Sequence, residues 1–221
     1  MIREHKHLGL MILLFGLLLL RPVVPDSLMD FIFLVALVAC AWLVSADRPG
    51  IQRVLMILAV PVIVGMTAIA FLAPGLAGIL TRPIGVYLSL SIVALLVFSG
   101  CIILWSLVKT TEITENEIFG SVNLYVIVGF IWAYIYALVE FYRPLSFNIN
   151  AAEGQTVSKL IYFSFVTLTT MGYGDITPQS EAAQMLTIVE AIVGQCYVAV
   201  VVTYLLSVHI SQKINADREE E

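Results

Sequence analysis

Four stretches of the chain run for 22 to 28 residues without one Asp, Glu, Lys or Arg: 54–81, 83–108, 118–139 and 191–212. A helix of about 20 predominantly apolar residues crosses the hydrocarbon of a bilayer, so each stretch is long enough to span. A fifth, 31–46, offers 16 uncharged residues and spans once its flanks are added. A sixth, Leu8–Leu20, has 13 before Arg21 and Pro22. It spans only by borrowing His5–His7 and Val23–Val24, with Arg21 snorkelling to the headgroups. Composition agrees with this pattern. Of 221 residues 60% are hydrophobic and 12% charged, with a mean hydropathy of +0.99, and a soluble core of this size could not hide so much apolar side chain. The chain is therefore expected to be a polytopic, all-α membrane protein. Intrinsic disorder is excluded. No nucleic acid is expected as a partner, because 11 Lys+Arg stand against 16 Asp+Glu with no basic cluster to hold phosphates.

These stretches predict six transmembrane helices, at 6–24, 28–46, 52–73, 84–108, 119–142 and 182–211. A signal peptide competes for the first, with Arg3 and Lys6 ahead of a leucine-rich core. Arg-Pro follows where a small-x-small cleavage site is needed, so a retained helix fits better. Pro61 is placed to kink the third helix. Pro74, Gly75 and Gly78, then Pro83 and Gly85, mark the turn into the fourth. With both termini cytoplasmic, the inner side holds Arg3, Lys6, Arg48, Arg53, Lys109, Lys213 and Arg218, and the outer side holds Arg21, Arg82, Arg143 and Lys159. The positive-inside rule favours that orientation and puts 142–181 outside. Cys40, Cys101 and Cys196 lie far apart in apolar runs and are expected to be packing residues.

Between the fifth and sixth helices, Val157–Thr170 is apolar but too short to cross, which points to a re-entrant or buried helix. It ends in Thr167-Leu168-Thr169-Thr170-Met171-Gly172-Tyr173-Gly174-Asp175. Gly172 and Gly174 can take positive φ without penalty. Alternating right- and left-handed dihedrals then turn successive carbonyls to one side. Non-helical backbone at membrane depth is tolerated where it lines a water-filled path or is buried in protein. Four such strands around an axis would stack rings of oxygens able to replace the hydration shell of K⁺.

Thr-x-Gly-Tyr-Gly-Asp after a short helix, between two membrane helices, resembles the selectivity filter of tetrameric potassium channels. The resemblance covers about 119–211, with its clearest match at 157–178. It implies a pore helix at 157–169 and K⁺ held by the carbonyls of Thr170, Met171, Gly172 and Tyr173, with Gly174 completing the filter. The Thr170 hydroxyl would form the innermost ring. The pore helix would aim its carbonyl end at the cavity, which favours a cation. Tyr173 would point away from the axis, and Asp175 would hydrogen-bond back to the pore helix, with Tyr162 and Thr169 as further filter support. Met171 stands where the family usually has Val or Ile. Its carbonyl is unchanged, so K⁺ selectivity is expected to survive, but a thioether packs less stiffly than a β-branched side chain. Tyr162-Phe163 occupies the place of the family's usual aromatic pair.

Gly194 matches the family's hinge glycine in the inner helix, and a close helix–helix contact is the competing reading. Helical spacing puts Gln195, Val198, Val202 and Leu206 on one face as candidate cavity lining, with Leu206 near an apolar constriction. Glu190 is the one acid deep in a membrane helix. Either it takes part in gating, or it is a protonated, hydrogen-bonded carboxyl paired with Thr167 or Ser164.

A voltage sensor needs several Arg or Lys on its fourth helix, and Pro83–Val108 has none. The expected organisation is a sensor-like four-helix scaffold without gating charges at 1–108, a cytoplasmic linker at 109–118, the pore domain at 119–211 and a short cytoplasmic tail at 212–221. Glu112, Glu115 and Glu117 in the linker form a solvated face, or less readily a divalent-cation site across four subunits. No regulatory domain is expected after the sixth helix, so ligand gating by a domain of the same chain is unsupported, and a separate regulatory subunit is left open as its source. The whole implies a homotetrameric, K⁺-selective, passive channel among membrane lipids, with no cofactor beyond the permeant ion, in what fits a prokaryotic inner membrane. The rivals are a weakly selective cation channel and a K⁺ uptake transporter subunit. No His-Glu-x-x-His, Gly-x-Ser-x-Gly or paired intramembrane Asp supports an enzyme.

Overall fold

The structure, a computed structural model, describes residues 6–21, 31–32, 34–35, 38, 49–72, 81–109, 115–149, 156–204, 206–208 and 210–211. Six helices are named here: α1 (Lys6–Leu20), α2 (Pro49–Leu72), α3 (Thr81–Lys109), α4 (Glu115–Tyr142), α5 (Thr156–Leu168) and α6 (Glu181–Cys196). A π-helical turn, Tyr197–Val202, continues α6. By length and composition, three stretches among the described residues can cross a membrane: Ser89–Lys109, Glu115–Tyr142 and Glu181–Val208.

The first helix departs from the expectation. It stops at Leu20, not 24, and 15 residues span about 22 Å against a hydrocarbon core of about 30 Å. Arg21 does not snorkel outward; it is 7% exposed, and its Nε donates to Ser158 Oγ at the start of α5, 3.0 Å away. The helix expected at 28–46 lies mostly outside the described residues, as do the turn at 73–80, Cys40, Glu112 and the tail at 212–221. Pro61 sits inside α2 without ending it. Pro83 falls within the first turn of α3, where the N–H it lacks has no intrahelical partner to lose. α4 begins four residues before the expected 119, so Glu115 and Glu117 occupy its first turn, where negative charge complements the helix dipole.

α4 is the centre of the fold, packed by α1, α3, α5 and α6. Leu10, Leu14 and Leu17 of α1 and Leu95, Leu96 and Ile103 of α3 meet Leu124, Ile127, Phe130 and Tyr134 of α4 in one core. Polar pins fix α1 on α4. Asn123 Nδ2 donates to the His7 carbonyl at 2.7 Å, and the His7 amide donates to Asn116 Oδ1 at 3.1 Å. The first amides of a helix have no intrahelical partner, and in an apolar setting a side chain has to supply one.

Candidate functional site

The loop after α4 is held by its last turn. Leu145 takes φ +66°, and its amide and that of Phe147 donate to the Glu140 carboxylate at 2.9 and 3.1 Å. The segment then zips onto the chain entering α6 through an isolated bridge, Phe147 to Pro178. The Gln179 amide donates to the Ser146 carbonyl at 2.7 Å, and the Asn148 amide to the Thr177 carbonyl at 3.1 Å. Ser180 caps α6, its hydroxyl accepting from the Ala183 amide. The stretch between α5 and α6 is thereby held at both ends.

The four carbonyls at the end of α5 are all satisfied. Phe165 O accepts from the Thr169 amide at 3.0 Å and the Thr169 hydroxyl at 2.6 Å; Thr167 O accepts from the Thr170 amide at 2.9 Å. Val166 O takes the amides of Met171 and Gly172 at 2.9 and 3.3 Å. Leu168 O takes the Tyr125 hydroxyl of α4 at 2.8 Å. The pairs Thr170 to Thr167 and Met171 to Val166 are a Schellman motif, with Thr170 in its left-handed position. Thr170, Gly172 and Gly174 have φ of +59°, +57° and +77°. Positive φ at every second residue across Thr170–Gly174 is the alternation that the glycine spacing predicts. A Cβ on Gly172 or Gly174 would meet no atom within 4 Å in this chain, so each is needed for its backbone angle rather than for room.

Around this strand, the Tyr162 hydroxyl on α5 faces the Asp175 carboxylate. Asn148 Nδ2 reaches the Asp175 carbonyl at 3.4 Å. Met171 is 60% and Tyr173 64% exposed, and both line a cavity of about 670 Å³ with Arg21, Lys159 and Phe165.

Gly194 packs against the end of α5: an added Cβ would fall well inside contact distance of the Leu168 carbonyl oxygen. That geometry is the close helix contact of the two readings made for this glycine. Gln195, Val198 and Leu206 are exposed, and Val202 lies in the π-helical turn. This turn interrupts the 3.6-residue spacing on which their common face rests, because one extra residue rotates the remainder of the helix by about 100°. Glu190 is fully buried and bonded to Ser164, with Tyr136 rather than Thr167 as its second partner. Among the described residues no His, Cys, Asp and Glu cluster has the makings of a metal site. Cys101 and Cys196 are free thiols.

Several residues of the site escape a reading of the sequence. Tyr136 packs its ring on Phe147 and Phe163 at 5.2 and 5.4 Å. Gly129 lets the Phe165 ring approach to where its Cβ would be, 2.8 Å away. Tyr125, Gly129, Trp132 and Tyr136 fall at i, i+4, i+7 and i+11, one stripe of α4, and that spacing is the signal that marks them.

Two long apolar helices bracketing a short one, with a strand of alternating handedness between, define a membrane protein of helix–loop–helix build. Residues 86–210 match a family model described as "Ion channel", and the chain belongs to that family. It is a channel, not an enzyme. The chain is 38% identical over 80 residues to "Two pore potassium channel c" of Oryza sativa subsp. japonica, covering 35% of this chain and 18% of that protein. It is 30% identical over 124 residues to "Protein LctB" of Bacillus caldotenax, covering 53% of this chain and 92% of that one. The chain thus matches less than a fifth of the rice relative's length and most of the bacterial one's. No solved structure matches it significantly.

Proposed function

We propose that the chain forms a homotetrameric pore conducting K⁺ passively and selectively across a prokaryotic inner membrane, with both termini cytoplasmic. The observation that carries this reading is the alternation of handedness at Thr170, Gly172 and Gly174 within Thr-x-Gly-Tyr-Gly-Asp. Such a backbone turns the carbonyls of Thr170, Met171, Gly172 and Tyr173 to one side, where oxygens from four strands replace the hydration shell of K⁺. One chain supplies one strand, and α6, Met171 and Tyr173 remain largely uncovered in it, which supports assembly around an axis. The rice relative is by name a potassium channel, and that adds weight to K⁺ as the ion. In this reading 119–211 is the pore domain, 109–118 its linker, 212–221 the tail and 1–108 a scaffold. Without Arg or Lys across 83–108 the scaffold moves too little charge to sense voltage. Gly194, Glu190 and the inner-helix residues Gln195, Val198, Val202 and Leu206 are its gating candidates.

Flux through purified protein in liposomes, with K⁺ and Na⁺ gradients compared and Ba²⁺ as blocker, tests the proposal. K⁺-selective flux that Ba²⁺ blocks is expected. Equal K⁺ and Na⁺ flux replaces it with a weakly selective cation channel, in which Met171 has loosened the filter.

A further inference from the structure

Glu190 lies at 0% exposure within one chain, so its burial does not depend on how chains assemble. Its two oxygens have different partners. Tyr136 Oη lies 2.5 Å from Oε2, and Ser164 Oγ lies 2.5 Å from Oε1. Ser164 Oγ also lies 2.7 Å from the Gly129 carbonyl oxygen. These are three oxygen–oxygen contacts in a row, each short enough to require a hydrogen between its members. Tyr136 contributes one hydrogen, Ser164 contributes one, and a carbonyl contributes none. An ionised Glu190 leaves the row one hydrogen short: if Ser164 turned to the carboxylate, its oxygen would face the Gly129 carbonyl with nothing between. A protonated Glu190 completes it. Tyr136 donates to Oε2, Oε1–H donates to Ser164, and Ser164 donates to Gly129. The groups facing the carboxyl are Tyr136 and Tyr125 from α4 and Ser164 from α5, and no described cation is among them. A buried charge without a cationic partner is the costliest arrangement available here.

We infer that Glu190 is a neutral carboxylic acid whose proton closes a hydrogen-bond chain tying α6 through α5 to α4 behind the ion path, making it a positioning residue for the strand at 170–174. Ser164 stands one turn before Leu168. At Leu168 the same three helices meet again, through the Tyr125 hydroxyl and the close approach of Gly194. The chain and this contact set the rotation of α5, and with it the direction in which Thr170 leaves the helix. The positioning role rests on the proposed reading of that strand as the ion path, whereas the protonation of Glu190 does not.

Glutamine reproduces a neutral acid in this place: its carbonyl accepts from Tyr136 and its amide donates to Ser164. It cannot reproduce a carboxylate that accepts at both oxygens. The wild-type infrared spectrum in lipid, minus that of Glu190→Gln, is therefore expected to contain a protonated-acid carbonyl band. K⁺ flux of Glu190→Gln is expected to stay within about twofold of wild type, since every hydrogen bond is kept. Glu190→Leu, which strands the Tyr136 hydroxyl and removes the donor to Ser164, is expected to lose about tenfold or more. Carboxylate bands in place of that acid band in the difference spectrum, or a Gln variant as impaired as the Leu variant, overturn the inference. Should the wild-type protein pass no K⁺, the proposed conduction fails. The infrared band and the thermal midpoints of the two variants then still decide the state of Glu190.

Discussion

Thr170 is a β-branched residue in the left-handed region, a conformation that costs about 1–2 kcal/mol for an L-residue. It persists because the surrounding bonds over-determine it: its own amide and that of Met171 both close on the end of α5. Gly172 and Gly174 hold the same hand without that cost. Gly194 answers a different demand, for room, since its face touches the Leu168 backbone. Gly194→Ala must therefore push α6 off α5. It is expected to destabilise each chain by about 1–3 kcal/mol, the usual range for overpacking. Its thermal midpoint in detergent and its K⁺ flux should both fall below wild type. An unchanged midpoint would show that the contact yields easily, and that a hinge accounts better for this glycine.

α5 is short for a simple reason: its last four carbonyls are taken by Thr169, Thr170, Met171, Gly172 and Tyr125, so the helix ends where the strand begins. The strand inherits its direction from the helix, and its side chains set how firmly it is held. Met171 is 60% exposed and flexible where a β-branched residue would have one preferred rotamer. Met171→Val is expected to make conduction more persistent, seen as slower decay of K⁺ flux during a sustained gradient, with the K⁺ over Na⁺ preference unchanged. Equal decay in the two proteins counts against a loosely packed filter. In α6, the π-helical turn at Tyr197–Val202 comes directly after the Gly194 contact, and the Tyr197 hydroxyl donates to the Ser121 carbonyl of α4 at 2.7 Å. The inner helix is thus tied to α4 at the place where its spacing changes.

In the molecule as a whole, α4 is packed by four other helices, whereas α6 and the turns that continue it leave Ile188, Ile192, Val198, Val200 and Leu206 half or more exposed. Exposed apolar helix is at home in lipid, but Met171 and Tyr173, exposed at 60% and 64%, belong to the proposed ion path and need protein around them. Size measurement of the solubilised protein, corrected for detergent, is expected to give four times the 24.3 kDa chain mass. A mass of one chain would remove the homotetramer, and with it the rings of four carbonyls.

The strand at 170–175 was legible because its chemistry is local: two glycines one residue apart, after a short apolar helix, constrain their own backbone whatever surrounds them. The need of Glu190 for partners was legible for the same reason, since a carboxyl in an apolar helix cannot stand alone, and Ser164 was within reach of that reasoning. Tyr136, 54 residues away, was not. Nor were the bond from Tyr125 to Leu168, the fit of Phe165 over Gly129, or the shift of register in α6. All of these depend on how each helix is rotated about its axis. A helix that is apolar all round, as α3 and α4 nearly are, carries no polar edge to mark its inner face. Its rotation is settled by which side chains interlock with its neighbours, and those neighbours come from distant parts of the chain.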